Sequence, residues 1–441
     1  MKPMLDLSRY HEALDRAEPI RNVGQITKMV GLVIEAAGPA VPLGSLCELK
    51  PEGGGKVSRA EVLGFRNNKV LLVPLEEVSG VGPGCKVVAA SRRASIPVGN
   101  GLLGRVLDGL GRPIDGGEPI EAKTRYPIYA EPINPLARVR IRKPLDVGIR
   151  AINGLLSVGC GQRVGIFAGS GVGKSVLLGM IARKTKADVN VIALIGERGR
   201  EVNEFIQKDL GPEGLKKSVL VVATSDRLPL IRMRGAFVAT AVAEYFRDQG
   251  LSVNLMMDSV TRFAMAQREM GLALGEPPTT KGYTPSVFTT LPKLLERAGT
   301  CAGNGSITGL YTVFVEGDNL NDPIVDAVRS ILDGHIVLSR DIAMQNRYPA
   351  IDVLRSISRV FTDITTDAHR KLAGKFKSVL ATYQKAEDLI NIGAYKKGSN
   401  PQIDEALEKI DAIYAFLNQG IPETIGFDES VSQLAAIFPE I

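Results

Sequence analysis

The sequence predicts an α/β core set between a small N-terminal β-barrel and a C-terminal all-helical domain. Three observations predict it. From about Leu145, apolar strand-like runs alternate with amphipathic helical runs, the pattern of a sheet covered on both faces. Residues 23 to 91 instead carry short β-type runs separated by glycine and asparagine turns, which suits a small closed barrel. From Thr362 onward apolar residues recur with a 3.6 period and nothing strand-like intervenes. At 441 residues the chain exceeds a single core, so two or three domains are expected.

In chain order, residues 1 to 22 form a separate segment. Leu7, Tyr10 and Leu14 lie at helical spacing among charges, so this is a short amphipathic helix, marginal in isolation. It reads as a docking peptide that orders on a partner, or else as a frayed end. It lacks the apolar stretch of a signal peptide, and no run of 18 apolar residues occurs in the chain. A cytosolic protein able to dock on a membrane complex is expected.

The barrel, 23 to 92, has strand candidates Leu32–Ile34, Val57–Leu63, Val70–Val73 and Val87–Val88. Gly53–Gly55, Asn67–Asn68 and Gly80–Gly82 supply the turns between them. A Gly/Pro-rich connector follows, including Gly99, Gly101, Gly111 and Pro132 to Pro135. The core, 93 to 361, has strands at Arg163–Ala168, Val189–Ile195, Val219–Ala223, Val253–Met257 and Tyr311–Val315, with helices at Ser175–Thr185 and Leu230–Asp248. In the helical part, 362 to 441, two stripes stand out: Leu372, Phe376, Val379, Tyr383, and then Ile403, Leu407, Ile410, Leu417. Asn400-Pro401 starts the second helix and Gly420 stops it.

Composition removes several classes of function. The hydrophobic fraction is 44% and the charged fraction 23%, as in ordinary globular proteins. Aromatics make up 5%, with no Trp, and Phe65 is alone among residues 23 to 91, which argues against a stacking surface for nucleic acid. The four cysteines and three histidines are scattered without metal-ligand spacing. A net charge of +6 reads as a solvated surface with a small Lys/Arg excess. Arg138, Arg140, Arg142 and Lys143, alternating with Val139 and Ile141, read as the wet face of a strand.

The chemistry centres on one segment. Ala168, Gly169, Ser170, Gly171, Val172, Gly173, Lys174 and Ser175 follow a strand and open a helix. The glycines let successive N–H groups wrap phosphate oxygens, and the helix adds its positive end. Lys174 is placed to reach the β- and γ-phosphates of a nucleotide and Ser175 to ligate Mg²⁺. The usual loop pattern begins with Gly where this chain has Ala168. Asp258, at the carboxyl end of a strand, is a candidate to support the metal. Gly196-Glu197-Arg198-Gly199-Arg200-Glu201 follows another strand, and spacing alone leaves Glu197 and Glu201 level as the acid that orients water.

These segments resemble the catalytic subunits of the rotary and type III secretion ATPase family, whose core is a RecA-like P-loop ATPase. Gly196-Glu197-Arg198 matches the motif whose Glu positions attacking water, which favours Glu197, and Asp258-Ser-Val-Thr-Arg262 resembles the metal-site strand end with Arg262 near the phosphates. Pro349-Ala-Ile-Asp352 to Ser358 fits the family signature, with Arg359 where the family has its arginine finger and Tyr348 where an aromatic stacks on adenine. The resemblance spans about Gly24 to Gln419. Ala168–Ser175, Asn134-Pro135-Leu136, Gly148–Gly154, Glu316-Gly-Asp318 and Ile331–Arg340 look like the secretion branch. Met29–Ile34 and Ile392–Gly398 resemble the flagellar members more than the virulence ones.

The resemblance implies ATP hydrolysis with Mg²⁺ in a homohexameric ring that energises export of flagellar proteins. It implies a coiled-coil stalk protein in the pore, a regulator or stator protein at the N-terminus, export chaperone–substrate complexes and a membrane export gate, with the ring peripheral to the inner membrane. Three rivals remain. A rotary synthase subunit is disfavoured by the absence of an acidic lever in the C-terminal helices. A noncatalytic ring subunit would lack Glu197, and a nucleic-acid translocase is opposed by the scarcity of aromatics.

Overall fold

The computed structural model describes residues 22–91, 94–120, 122, 124–315 and 322–441. The expected docking helix and the Glu316-Gly-Asp318 segment lie outside the described residues. Two compact units divide after Ala94.

The first unit is a closed six-stranded barrel, β1 (Val23–Val30), β2 (Val33–Ala37), β3 (Leu46–Lys50), β4 (Ser58–Arg66), β5 (Lys69–Pro74) and β6 (Lys86–Ser91), in the order β1-β2-β5-β4-β3-β6. Antiparallel pairing of β1 with β6 closes it. Alternate residues point inward, and Ile26, Ile34, Leu49, Val62, Leu72 and Val87 fill the interior. Asn67 and Asn68, both at positive φ, connect β4 to β5 as a two-residue turn, because only left-handed residues follow the strand twist there. The sequence reading missed β1 and β3, whose buried positions alternate with Lys, Glu and Gln.

The second unit is built on a sheet of eight strands in line: β7 (Val106–Asp108), β8 (Arg163–Ala168), β9 (Val189–Ile195), β10 (Ser218–Ala223), β11 (Ser252–Asp258), β12 (Ser306–Phe314), β13 (Gly334–Leu338) and β14 (Ile351–Ser358). Their order is β14-β13-β8-β12-β11-β9-β10-β7, with Gly299–Thr300 added against β12. The eight are parallel except β14, which runs antiparallel to β13. The five core strands read from sequence are all present. β12 starts five residues before the expected Tyr311, since Ser306, Thr308 and Gly309 dilute its apolar signal.

Residues 138 to 143 are not a strand. Arg138 turns inward instead and donates to the carbonyls of Ala298 and Glu296, while Arg140 pairs with Asp363.

Helix α1 (Lys174–Lys184) follows the glycine loop, and α2 (Pro229–Asp248) and α3 (Val260–Ala273) pack on the sheet. The C-terminal helices α4 (Asp367–Asn391), α5 (Pro401–Leu417) and α6 (Phe427–Ile437) share one hydrophobic core with β8 and α1, through Phe376, Ile413, Phe416 and Leu434. Asn400 caps α5 by accepting from the Gln402 amide at 2.9 Å. The buried stripe of α5 is Ala406, Ile410, Ile413 and Phe416, rotated from the expected one, because Ile403 and Leu407 are only half-buried. Among the described residues no helix is long and apolar enough to cross a membrane.

A deeply buried ion pair sits inside this unit. Arg297 is fully buried and holds the Glu244 carboxylate through two bonds, 2.8 and 2.5 Å, while donating to the Ile128 carbonyl at 2.5 Å. Arg297→Ala strands a buried carboxylate and is expected to cost about 3–5 kcal/mol, whereas an apolar pair at both positions costs far less. Urea midpoints of the single and double variants check this; equal midpoints for wild type and Arg297→Ala would refute it.

Candidate active site

Three strands of the sheet, β8, β11 and β9, end at one edge and gather three charged side chains there. β8 ends at Ala168, and the loop then swings out through Gly171 and Gly173, both at positive φ (76° and 85°), before α1 begins at Lys174. Ala168 is buried, as is Val172, whose side chain joins the core and pins the loop, while Ser170 and Gly171 are exposed. Gly169 lies buried at the strand end, so the departure from the usual first glycine falls at a residue still held in the sheet. Ser175 is exposed in the first turn of α1.

β11, two places along, ends at Asp258, and β9 beyond it runs into Gly196-Glu197. Backbone bonds fix the β9 end: Gly196 N–H donates to the Ala223 carbonyl at 2.7 Å, and Ser225 N–H to that of Glu197 at 3.0 Å. As a result the Lys174 ammonium lies 2.5 Å from Asp258 Oδ1 and 3.8 Å from Glu197 Oε1. These side chains are mostly buried, at 22%, 5% and 18% exposure, so the charges act through little water.

The electrostatics follow from that burial. Desolvation works against the Lys174 charge, but Asp258 first and then Glu197 outweigh it, and its pKa is raised. Burial, then the Asp258 charge, pushes Glu197 up to about 7 against the pull of Lys174, and Glu201 beside it adds to the rise. Glu201 is more exposed and pairs with Arg198 at 3.2 Å.

Thr312 was not legible as a site residue. It is fully buried on β12 and its hydroxyl lies 2.7 Å from Asp258 Oδ1, where it donates and holds the carboxylate in place. The available signal was a hydroxyl near the strand's carboxyl end, one of three Ser/Thr hydroxyls on β12 with Ser306 and Thr308.

Other expected residues are spread around this centre. Arg262 is exposed, but its stem packs on Gly196, where an added Cβ would come within 2.8 Å of it. Arg198 is 80% exposed and turned to Glu201. Tyr348 is 41% exposed and lies against the loop, its ring 3.5 Å from where a Cβ on Gly173 would stand. Arg359 is elsewhere. It follows Ser358, which pairs with Gly334 at the start of β13, whereas Ala168 pairs with Leu338 at its end. Arg359 therefore sits at the opposite edge of the sheet, four residue steps or about 13 Å along the strands; it is exposed there, 3.4 Å from the Arg329 carbonyl.

The donor set for a metal is two oxygens, the exposed Ser175 hydroxyl and the Asp258 carboxylate. That chemistry fits Mg²⁺, which takes few protein ligands and completes its shell with phosphates and water.

Comparison with known proteins agrees with this geometry. The model of the ATP synthase alpha/beta family nucleotide-binding domain matches residues 148–358, that family's β-barrel domain matches 26–90, and the T3SS EscN ATPase C-terminal domain matches 365–436. The flagellum-specific ATP synthase of Bacillus subtilis is 53% identical over 97% of both chains. The type 3 secretion system ATPase of Xanthomonas euvesicatoria is 51% identical over 95% of this chain and 94% of its own. The solved structure of the assembled ATPase EscN from the enteropathogenic E. coli type III secretion system superposes with a TM-score of 0.89 at 48% identity, covering 94% of this chain and 99% of that one. A second EscN structure, in complex with its central stalk EscO, gives 0.87 at 47% over the same shares. With a glycine loop between strand and helix, two acids at adjoining strand ends and relatives of this similarity along nearly its whole length, the chain belongs to the ATP synthase alpha/beta family, among its flagellum-specific and type 3 secretion ATPases.

Proposed function

We propose that this chain hydrolyses ATP as the subunit of a homohexameric ring that energises flagellar protein export. The observation that carries the reading is the Lys174–Asp258–Glu197 cluster at the mouth of the phosphate loop. Residues 168 to 175 wrap the phosphates, Lys174 neutralises the β/γ region, and Tyr348 offers its ring to the base. Arg198 and Arg262 flank the phosphate side. Mg²⁺, when bound, neutralises charge developing on the phosphates; Ser175 would ligate it and Asp258 would support it. Glu197 orients the attacking water, and Arg359 acts on a neighbour's nucleotide. Residues 1–22 form a partner-binding segment, 23–92 the barrel, 93–361 the ATPase core and 362–441 the helical domain.

The EscN–EscO complex supports a ring with a stalk protein in its pore. A regulator or stator protein at the N-terminus, export chaperone–substrate complexes and a membrane export gate complete the reading, with the ring in the cytoplasm at the inner membrane. The 51% identity to a secretion-system ATPase favours export through a virulence apparatus as the second reading.

The test is Glu197→Gln. It should still bind MgATP, yet turn over at least about a hundredfold slower, the range of a group that activates water. The carboxylate works only when ionised, and its pKa is raised to about 7. Wild-type kcat/KM should therefore fall as pH drops through about 7, and this acid limb should vanish in Glu197→Gln. If Glu201→Gln shows the defect and Glu197→Gln does not, the acid is misassigned.

A further inference from the structure

The far end of helix α1 from the phosphate loop opens into a cleft of about 660 Å³. Three separate segments line it. Arg183, Lys184, Thr185 and Lys186 come from the end of α1 and the turn beyond it, Lys208 and Lys217 from the stretch leading to β10, and Ile421, Pro422 and Thr424 from the connection between α5 and α6. Five cations thus face one concavity, with no carboxylate in its wall.

Two of the five are partly desolvated. Here burial, then Arg183, push the Lys184 ammonium down to about 8, and burial with Lys186 lowers Lys217. Both are held by backbone: Lys184 donates to the Glu423 carbonyl and Lys217 to the Thr185 carbonyl at 3.0 Å. The side chains of Arg183, Lys186 and Lys208 make no hydrogen bond or ion pair among the described residues. Among the described residues, Glu423 and Asp209 lie nearby. Glu423 is partly engaged by Arg150 at 3.6 Å, and Asp209 interacts with Lys208 and Arg183 only through space. Arg183 and Lys184 also complement the negative end of α1, but that role accounts for two of the five.

We propose that this cleft binds a small polyphosphate anion, of which pyrophosphate and tripolyphosphate are the simplest members. Like charges converging in a concave, partly dehydrated site raise the local potential for a multivalent anion. Ile421 and Pro422 are the apolar wall residues besides side-chain stems, so the cleft lacks the buried aromatic or aliphatic anchors that hold a peptide. An anion seated there ties the C-terminal end of the phosphate-loop helix to the α5–α6 connection. The ligand phosphate has two sources, a free polyphosphate or a lipid headgroup, which the vesicle arm of the test separates.

The test is calorimetric titration of the full chain with tripolyphosphate. Lys174→Ala separates this site from the phosphate loop and should leave one class of binding intact. Lys186→Glu with Lys208→Glu, both exposed and outside the hydrolytic site, should weaken that class at least about tenfold, as expected for lost charge-assisted bonds, and leave ATP hydrolysis near the wild-type rate. Hydrolysis reports folding; if the reversed pair fails to fold, Lys208→Gln is read the same way. Unchanged binding in these variants overturns the proposal, as does loss of all binding in Lys174→Ala. Vesicles of phosphatidylglycerol that bind through Lys186 and Lys208 when tripolyphosphate does not would also overturn it, and assign the cleft to a lipid surface.

Discussion

Lys174→Ala should lower ATP hydrolysis by at least about 10³-fold while the protein stays folded. A preorganised cation at a phosphoryl-transfer site acts where charge develops, and in a mostly buried setting it is worth several kcal/mol. The setting here meets that condition, since the ammonium is 22% exposed and already oriented by Asp258 and Glu197. The same two carboxylates make the loss severe. Without Lys174 the Asp258 carboxylate loses its cation. Glu197 loses the charge that pulls its raised pKa down, so it is driven towards its protonated, inactive form. The loop itself persists, because Gly171 and Gly173 shape its backbone and buried Val172 anchors it. Phosphate release measured beside a thermal melt decides the matter. Near wild-type turnover in a folded Lys174→Ala protein would remove the phosphate loop from the mechanism.

Arg359→Ala should cost roughly 10³–10⁵ in rate, the range of arginine fingers. As an ordinary surface cation Arg359 would contribute at most about 1 kcal/mol. Its position separates the two readings. It lies about 13 Å along the strands from the sheet edge that holds its own chain's glycine loop, and it is exposed there. Arg359→Ala and Lys174→Ala proteins, each nearly inactive, should therefore regain part of the activity when mixed under conditions of subunit exchange. Some interfaces then join an intact Lys174 to an intact Arg359. No recovery, with exchange demonstrated independently, would take Arg359 off the catalytic set.

Local chemistry was legible in the sequence wherever adjacent residues encode it. The strand–glycine loop–helix segment could be read because glycine conformations and a helix start depend on near neighbours, and Gly171 and Gly173 take positive φ there. The Asn67-Asn68 turn and the Asn400 cap follow the same logic. Strands β13 and β14 escaped notice because β13 is short and β14 alternates Asp352, Leu354 and Ser356 with Val353 and Arg355, an edge-strand texture without a continuous apolar run.

Only the tertiary structure decided which distant residues meet. Sheet order puts β8, β11 and β9 close enough to gather Lys174, Asp258 and Glu197, whereas spacing along the chain left Glu197 and Glu201 level. It set Thr312 on Asp258, carried Arg359 to the far edge, and drew Lys208 and Lys217 beside Arg183, Lys184 and Lys186, a cluster hidden in a net charge of +6. The physical reason is the range of the forces. Backbone conformation and periodicity are set within a few residues, while pairing order, burial and the charge interactions that depend on burial are properties of the packed sheet.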